Sequence, residues 1–242
     1  QAQQNAAGIP ATIEIIQPAA GLNLTILGDA QLEAHVFDQQ HNRINDLGPH
    51  NMTVEWTLAQ QGIVPQPVQI HNQLSGAAAI PVSFNAANAT LKAALKNNAG
   101  NEINSSSRDV NLIFPVINIR NPAPNSTHQI ENPIVGLEAQ ILDGQGNLID
   151  QNRLIRLFFI WYLRQELPAI IAPKTIHIRR TGNSRRIPNN FSPGQAKLGV
   201  ALLDQTKNAK ASQVEIDIIL ETPTPLPTPT IDSINPISGV QG

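Results

Sequence analysis

Six histidines, at positions 35, 41, 50, 71, 128 and 177, are the side chains of this chain that titrate near neutrality, and they are scattered. No His-Glu-x-x-His pair places two imidazoles on one helix face for zinc, and no Gly-x-Ser-x-Gly elbow presents a serine nucleophile. Cysteine is absent, which removes thiol catalysis, iron–sulfur clusters and cysteine zinc sites. The reading is therefore of a protein that is not an enzyme, with no catalytic residue, no metal ligand set and no cofactor.

Three other groups of residues carry chemistry. Asp38 and Asp143 each end a strand-like run just before a turn. Calcium would need about six to eight oxygens, and only Asp46 and Asp150 stand near in sequence. An Asx-turn, with the carboxylate accepting backbone N–H groups, is the more economical reading. Arg179-Arg180 and Arg185-Arg186 flank Thr181-Gly182-Asn183-Ser184. On a hairpin they would concentrate guanidinium groups suited to carboxylate or phosphate; the alternative is a solvated hairpin tip. No aromatics accompany them, so nucleic acid is not the expected partner.

The third group is Leu154-Ile155-Arg156-Leu157-Phe158-Phe159-Ile160-Trp161-Tyr162-Leu163. As a strand it puts Phe159, Trp161 and Leu163 on one face and Phe158, Ile160 and Tyr162 on the other. Both faces are apolar. The outer set needs cover, either from Leu167-Pro168-Ala169-Ile170-Ile171-Ala172-Pro173 as a lid or from a partner or ligand.

The elements that must position these residues come from an internal repeat. Leu32-Glu33-Ala34-His35-Val36-Phe37-Asp38 returns as Leu137-Glu138-Ala139-Gln140-Ile141-Leu142-Asp143, and Trp56 returns as Trp161, both after 105 residues. Leu91 to Leu95 matches Leu198 to Leu202. Alternation of period two predicts strands near 12–17, 31–38, 52–59, 78–84, 89–96 and 106–114. The second unit repeats them near 116–120, 134–142, 154–163, 174–180, 196–203 and 212–221. Gln1 to Ala11 reads as a flexible lead-in. The expected fold is all-β, two tandem immunoglobulin-like β-sandwiches without disulfides, over 1–115 and 116–222. Only Pro115 interrupts the passage from one unit to the next, so the tandem is expected to be stiff.

Composition bears on setting. Only 14% of the 242 residues are charged, and net charge is −2. The first unit carries 4 Lys/Arg against 8 Asp/Glu, the second 12 against 9. No apolar run approaches the ~20 residues that span a bilayer, so membrane insertion is not expected. No signal peptide opens the chain, so one is expected to have been removed or to lie outside it. Residues 223–230 carry proline at every second position, with Thr or Leu226 between; as polyproline II at about 3.1 Å per residue they form an extended spacer.

The segment Leu137-x-Ala139-x-Ile141-x-Asp143-Gly144-x-Gly146-Asn147-x-Ile149, followed by Trp161, resembles bacterial immunoglobulin-like (Big, invasin-type) repeats of cell-surface and secreted proteins. Residues 31–59 carry a weaker copy, with His41 where the second has Gly146. The tail, Pro229-Thr230-Ile231-Asp232-Ser233-Ile234-Asn235-Pro236-Ile237-Ser238-Gly239, resembles the opening strand of an IPT/TIG domain, so 231–242 is expected to begin a domain that continues further. These resemblances imply a non-catalytic, extracellular or cell-surface module that spaces neighbouring domains of the same protein. The alternative they leave is a carbohydrate-binding or adhesive module that engages a polysaccharide or cell-surface protein through the outer face of the second domain.

Overall fold

A computed structural model describes residues 8–62 and 68–224. The strands of the first half are β1 (Pro10–Gln17), β2 (Asn23–Thr25), β3 (Asp29–Asp38), β4 (Arg43–Ile44), β5 (Thr53–Ala59), β6 (Val68–His71), β7 (Ser75–Ala79), β8 (Asn88–Lys96) and β9 (Glu102–Ile113). Those of the second are β10 (Val116–Asn121), β11 (Thr127–Gln129), β12 (Leu137–Leu142), β13 (Phe158–Gln165), β14 (Ile171–His177), β15 (Thr181–Gly182), β16 (Gly194–Leu203) and β17 (Val214–Glu221).

In the first half, β3 pairs with β1, β4 and β7, and the other sheet runs β2-β9-β8-β5-β6. In the second half the sheets run β10-β12-β15 and β11-β17-β16-β13-β14. The two orders correspond except for β4, whose place in the second half is taken by a single Leu142–Leu148 bridge, and the match extends to a short parallel pairing of β2 with β9 and of β11 with β17. This is the immunoglobulin-like strand order, with a sheet of four strands in the first half and three in the second facing a sheet of the G-F-C-C′ kind. The expected strands are present with ends shifted by a few residues, with two exceptions. The one expected over 78–84 overlaps β7 only at Ala78 and Ala79, the rest forming a turn, and the one expected over 154–163 starts only at Phe158, after a 3-10 turn. The alternation places Ile13 and Ile15, Leu32, Ala34 and Val36, and Leu91, Ala93 and Leu95 in the core between the sheets.

Three expectations need correction. The chain is already in β1 at Pro10, so the lead-in is shorter than Gln1–Ala11. Residues 167–173 are not a lid. Leu167 and Ile170 are 73% and 88% exposed, and from Ile171 the segment forms β14, paired to β13 in the plane of the same sheet. A strand hydrogen-bonded beside β13 cannot also lie over its face. Pro173 is tolerated because β14 is an edge. Thr181–Ser184 is not a hairpin tip either, since β14 belongs to one sheet and β15 to the other. The tail resembling an IPT/TIG strand, and the Pro/Thr spacer from Pro225 onward, lie outside the described residues.

Candidate functional site

Both sandwiches are organised around the same indole. Trp56 and Trp161 are completely buried. Trp56 Nε1 donates to the Gln73 carbonyl at 2.7 Å and Trp161 Nε1 to the Arg179 carbonyl at 2.9 Å. An unpartnered buried N–H costs about 1–3 kcal/mol, so each chain segment must bring a carbonyl to the ring. His71 and His177 sit opposite the two tryptophans in β6 and β14. Each imidazole packs on a glycine, Gly76 at φ 153° and Gly182 at φ 131°, where a Cβ would come within 2.6 Å and 3.1 Å of it.

A buried glutamine repeats as well. Gln60 Nε2 donates to the Asn85 carbonyl at 2.9 Å while its Oε1 accepts from Asn85 N at 3.0 Å. Gln165 does the same with Ser192, at 2.8 Å and 3.0 Å. These side chains pin the loop entering β8 and β16 and leave nothing over for a ligand.

Asp38 and Asp143 make Asx-turns, as the sequence suggests. Asp38 Oδ1 accepts from Gln40 N at 2.9 Å and Asn42 N at 2.8 Å; Asp143 Oδ1 accepts from Gln145 N and Asn147 N at the same distances. Asn97 and Asp204 repeat the device at the other hairpin of each sandwich. Oxygens surrounded by N–H donors are the reverse of what a cation requires. The Asn42 backbone bond, then its side chain, hold the Asp38 carboxyl below the usual carboxylate range. At Asp143 burial works against ionisation, but the bonds from Asn147, Gln145 and Gly146 outweigh it and the net shift is downward.

The outer face of β13 is covered only in part: Tyr162 is enclosed by its own chain, Ile160 is half-buried, and Phe158 stays exposed, against the expectation that all three are covered. Phe159, Trp161 and Leu163 enter the core, and Ile160, Tyr162 and Arg164 stand on the opposite face. Tyr162 is only 7% exposed. Its ring lies across Gly199, its direct partner on β16, where a Cβ would fall 2.2 Å from Cζ. The first sandwich has Thr57 opposite Lys92 at that place. The phenol donates to Glu215 Oε1 at 2.9 Å, and Arg164 grips both oxygens of Glu215 at 2.8 Å and 2.7 Å while also reaching Glu166. Burial, and then Glu215, push the phenol up to about 12. A sugar-stacking platform needs an exposed ring, and on this face only Phe158, at 50%, offers one.

The four arginines belong to the crossover between sheets rather than to a hairpin. The Arg179 and Arg180 carbonyls are turned inward, to Trp161 Nε1 and to Ala139 N at 3.2 Å. Arg185 N donates to the Ile176 carbonyl at 2.7 Å, and Ser184 Oγ accepts from Ile134 N at 2.7 Å. These bonds spread the residues along the edge between the sheets. Arg179 and Arg180 border a groove of about 270 Å³ with Ile155 and Ile178, while Arg185 and Arg186 do not line it.

Among the described residues one serine–histidine contact occurs, Ser126 Oγ to His128 Nε2 at 2.9 Å. The two residues are neighbours on one short stretch and line none of the grooves described here. Among the described residues no carboxylate orients the ring, so the pair lacks the constellation that activates a nucleophile.

The junction between the sandwiches holds residues that the sequence does not mark. Only Phe114 and Pro115 separate β9 from β10. Arg153 lies in a 3-10 turn, Gln151–Leu154, and donates Nη1 to the Leu27 carbonyl at 2.9 Å and Nη2 to Asp29 Oδ1 at 2.8 Å. Gly144 N donates to Thr25 Oγ1 at 2.8 Å, and a Cβ on Gly28 would meet Asp143 Cβ at 3.3 Å. Lys210, 3% exposed, donates to the Phe84 carbonyl at 3.3 Å and Asn85 Oδ1 at 3.1 Å, with Asp204 Oδ2 at 3.5 Å. Beside Arg153 lies a cleft of about 650 Å³ with walls from both sandwiches. Extending the 105-residue repeat from the tryptophans reaches Gln60 and Gln165, so that clamp is legible in the sequence. Arg153 has Gly48 as its counterpart, and no repeat signal marks it.

No protein-family model matches this sequence, and no curated protein matches it. Among solved structures, the chain is similar to the fibronectin(III)-like modules of Clostridium thermocellum CbhA, at 14% identity and TM-score 0.28, over 87% of this chain and 94% of that one. It is also similar to a tetra-tandem repeat in the extending region of a large adhesion protein, at 11% identity and TM-score 0.35, over 87% and 48%. Domains 1–6 of the surface layer protein SbsC align at 11% identity and TM-score 0.27, over 90% and 29%. Scores this low carry no argument, and the fold assignment rests on the strand order. Among the described residues no helix is long and apolar enough to cross a membrane.

Proposed function

We propose that this chain is a non-catalytic, stiff two-domain spacer of a multidomain bacterial surface or secreted protein. Its domains are residues 1–115 and 116–222, followed by the 223–230 spacer and the opening strand of an IPT/TIG-like domain at 231–242. It holds its neighbours apart at a set distance and orientation outside the cell. The observation that carries this reading is the clasp at the junction. A two-residue connection is reinforced by Arg153 on Leu27 and Asp29, by Gly144 on Thr25, and by a buried Lys210 on Phe84 and Asn85. Tandem domains joined by small polar interfaces ordinarily move against each other; contacts at separate places resist bending in more than one direction.

Small-angle scattering tests it. The wild-type curve should fit one interdomain geometry, and Arg153→Ala with Lys210→Ala should broaden the distribution while each domain stays folded. Broad interdomain motion in the wild type would refute the spacer.

A second reading, an adhesive or carbohydrate-binding surface on the second domain, draws on its exposed apolar groups. Phe158, Ile155 and Ile178 are 50%, 78% and 60% exposed, with Arg179 and Arg180 beside the two isoleucines. Such a surface would use these residues and not the enclosed Tyr162. Loss of binding in Phe158→Ser with unchanged stability would favour it.

A further inference from the structure

We propose that the cleft between the two sandwiches is a binding site for a neutral, hydroxyl-rich ligand, that is, a segment of uncharged glycan. Its volume, about 650 Å³, falls within the roughly 300–1,000 Å³ usual for ligand sites, which favour domain interfaces. Its walls are set before any ligand arrives. Arg153 and Gly144 tie the two sides together through Leu27, Asp29 and Thr25, so little conformational freedom remains to be lost on binding.

The lining selects the ligand class. Carboxamides come from both sides, Gln17 and Gln31 from the first sandwich and Gln145 from the second. A carboxamide offers an acceptor and two donors, and a sugar hydroxyl both donates and accepts, so pairs of neighbouring hydroxyls suit such a wall. Leu22 and Leu148, 46% and 65% exposed, flank the amides and can take the C–H faces of a sugar ring.

Charged ligands fit poorly. Three carboxylates, Asp29, Asp143 and Asp150, line the cleft against the single guanidinium of Arg153, which is already held by Asp29. That balance repels phosphates, sulfates and uronates. The carboxylates are not free for a cation either. Asp143 is filled by N–H donors from Gln145 and Asn147, Asp29 faces Arg153, and Asp150 Oδ1 accepts from Asn152 N at 3.0 Å. The site is separate from the outer face of β13, and it does not depend on the spacer reading.

The test is a titration of the nitrogen-15-labelled chain, followed by NMR, which resolves side-chain amide groups. The probes are cellohexaose, xylohexaose, maltohexaose and chitohexaose, taken to millimolar concentration, with a heparin hexasaccharide as the anionic control. At least one neutral glycan should shift the Gln17, Gln31 and Gln145 side-chain amides saturably, and heparin should not. Gln31→Ala with Gln145→Ala should weaken that binding about tenfold, equivalent to about 1.4 kcal/mol. Both glutamines are exposed, so an unchanged thermal midpoint confirms that the variant is folded. The proposal fails if no neutral glycan moves these amides, if binding survives the double variant, or if heparin binds there more tightly. Scattering on the same samples tests the spacer reading independently.

Discussion

Gly199 is where the second sandwich makes room for its only tyrosine, and replacing it by alanine should expel the ring. A Cβ at Gly199 would stand 2.2 Å from Tyr162 Cζ, 2.5 Å from the hydroxyl and 2.6 Å from Cε2, so the side chain has to swing outward. Losing the burial of such a ring costs about 1.5–3 kcal/mol. Alanine in place of a strand glycine returns about 0.5–1 kcal/mol, which leaves a net loss of about 0.5–2.5 kcal/mol. The hydroxyl also leaves Glu215, and its titration reports this directly. The chain has 1 Tyr, so tyrosinate absorbance reads this site alone. In the wild type the phenol should ionise at about 12, against an ordinary value of about 10. Because the folded value is raised, the associated stability is complete below about pH 10 and is lost as pH rises through about 12. In Gly199→Ala the phenol should titrate near its ordinary value while circular dichroism still shows the folded chain, and the urea midpoint should fall with no change in slope. A wild-type phenol ionising near 10 in the folded state would refute the enclosure of the ring. So would a variant that keeps both the raised value and the midpoint.

Two further outcomes follow from the repeated devices. Trp161→Ala should cost about 3–5 kcal/mol in urea unfolding, because it empties the centre of a sandwich and strands the Arg179 carbonyl; a loss below about 1 kcal/mol would contradict its full burial. Asp38, Asp143 and Asp204 all have carboxyls held below their ordinary range by turn hydrogen bonds, so the unfolded chain takes up protons first and their stability is present above about pH 4 and lost as pH falls through the folded values. Acid titration of the thermal midpoint should show that decline, and a midpoint insensitive to pH between about 5 and 2 would count against the Asx-turns.

The long strands, the two-unit organisation and the inward face of each strand could be read from residue order because they depend on local alternation and on a repeat that carries both tryptophans. The Asx-turns of Asp38 and Asp143 were legible for the same reason, since the side chain bonds to N–H groups within four residues. The fate of Phe158, Ile160 and Tyr162 was legible only as a problem. Alternation says that they face away from the core, but Tyr162 alone is enclosed, by Gly199 and Glu215 brought from β16 and β17 by sheet pairing, while Phe158 stays exposed. Proximity in sequence suggested residues 167–173 for that task. Hydrogen bonding along the edge of β13 claimed them as a strand instead, because paired backbone groups cannot also fold over the sheet. The arginine segment became a crossover because its carbonyls are drawn to Trp161 and Ala139. The junction is furthest from local rules. Arg153 in a 3-10 turn, Thr25 at the end of the three-residue strand β2 and Lys210 in a loop carry no periodic pattern, and they acquire a role only when one sandwich is set against the next, more than 100 residues away along the chain.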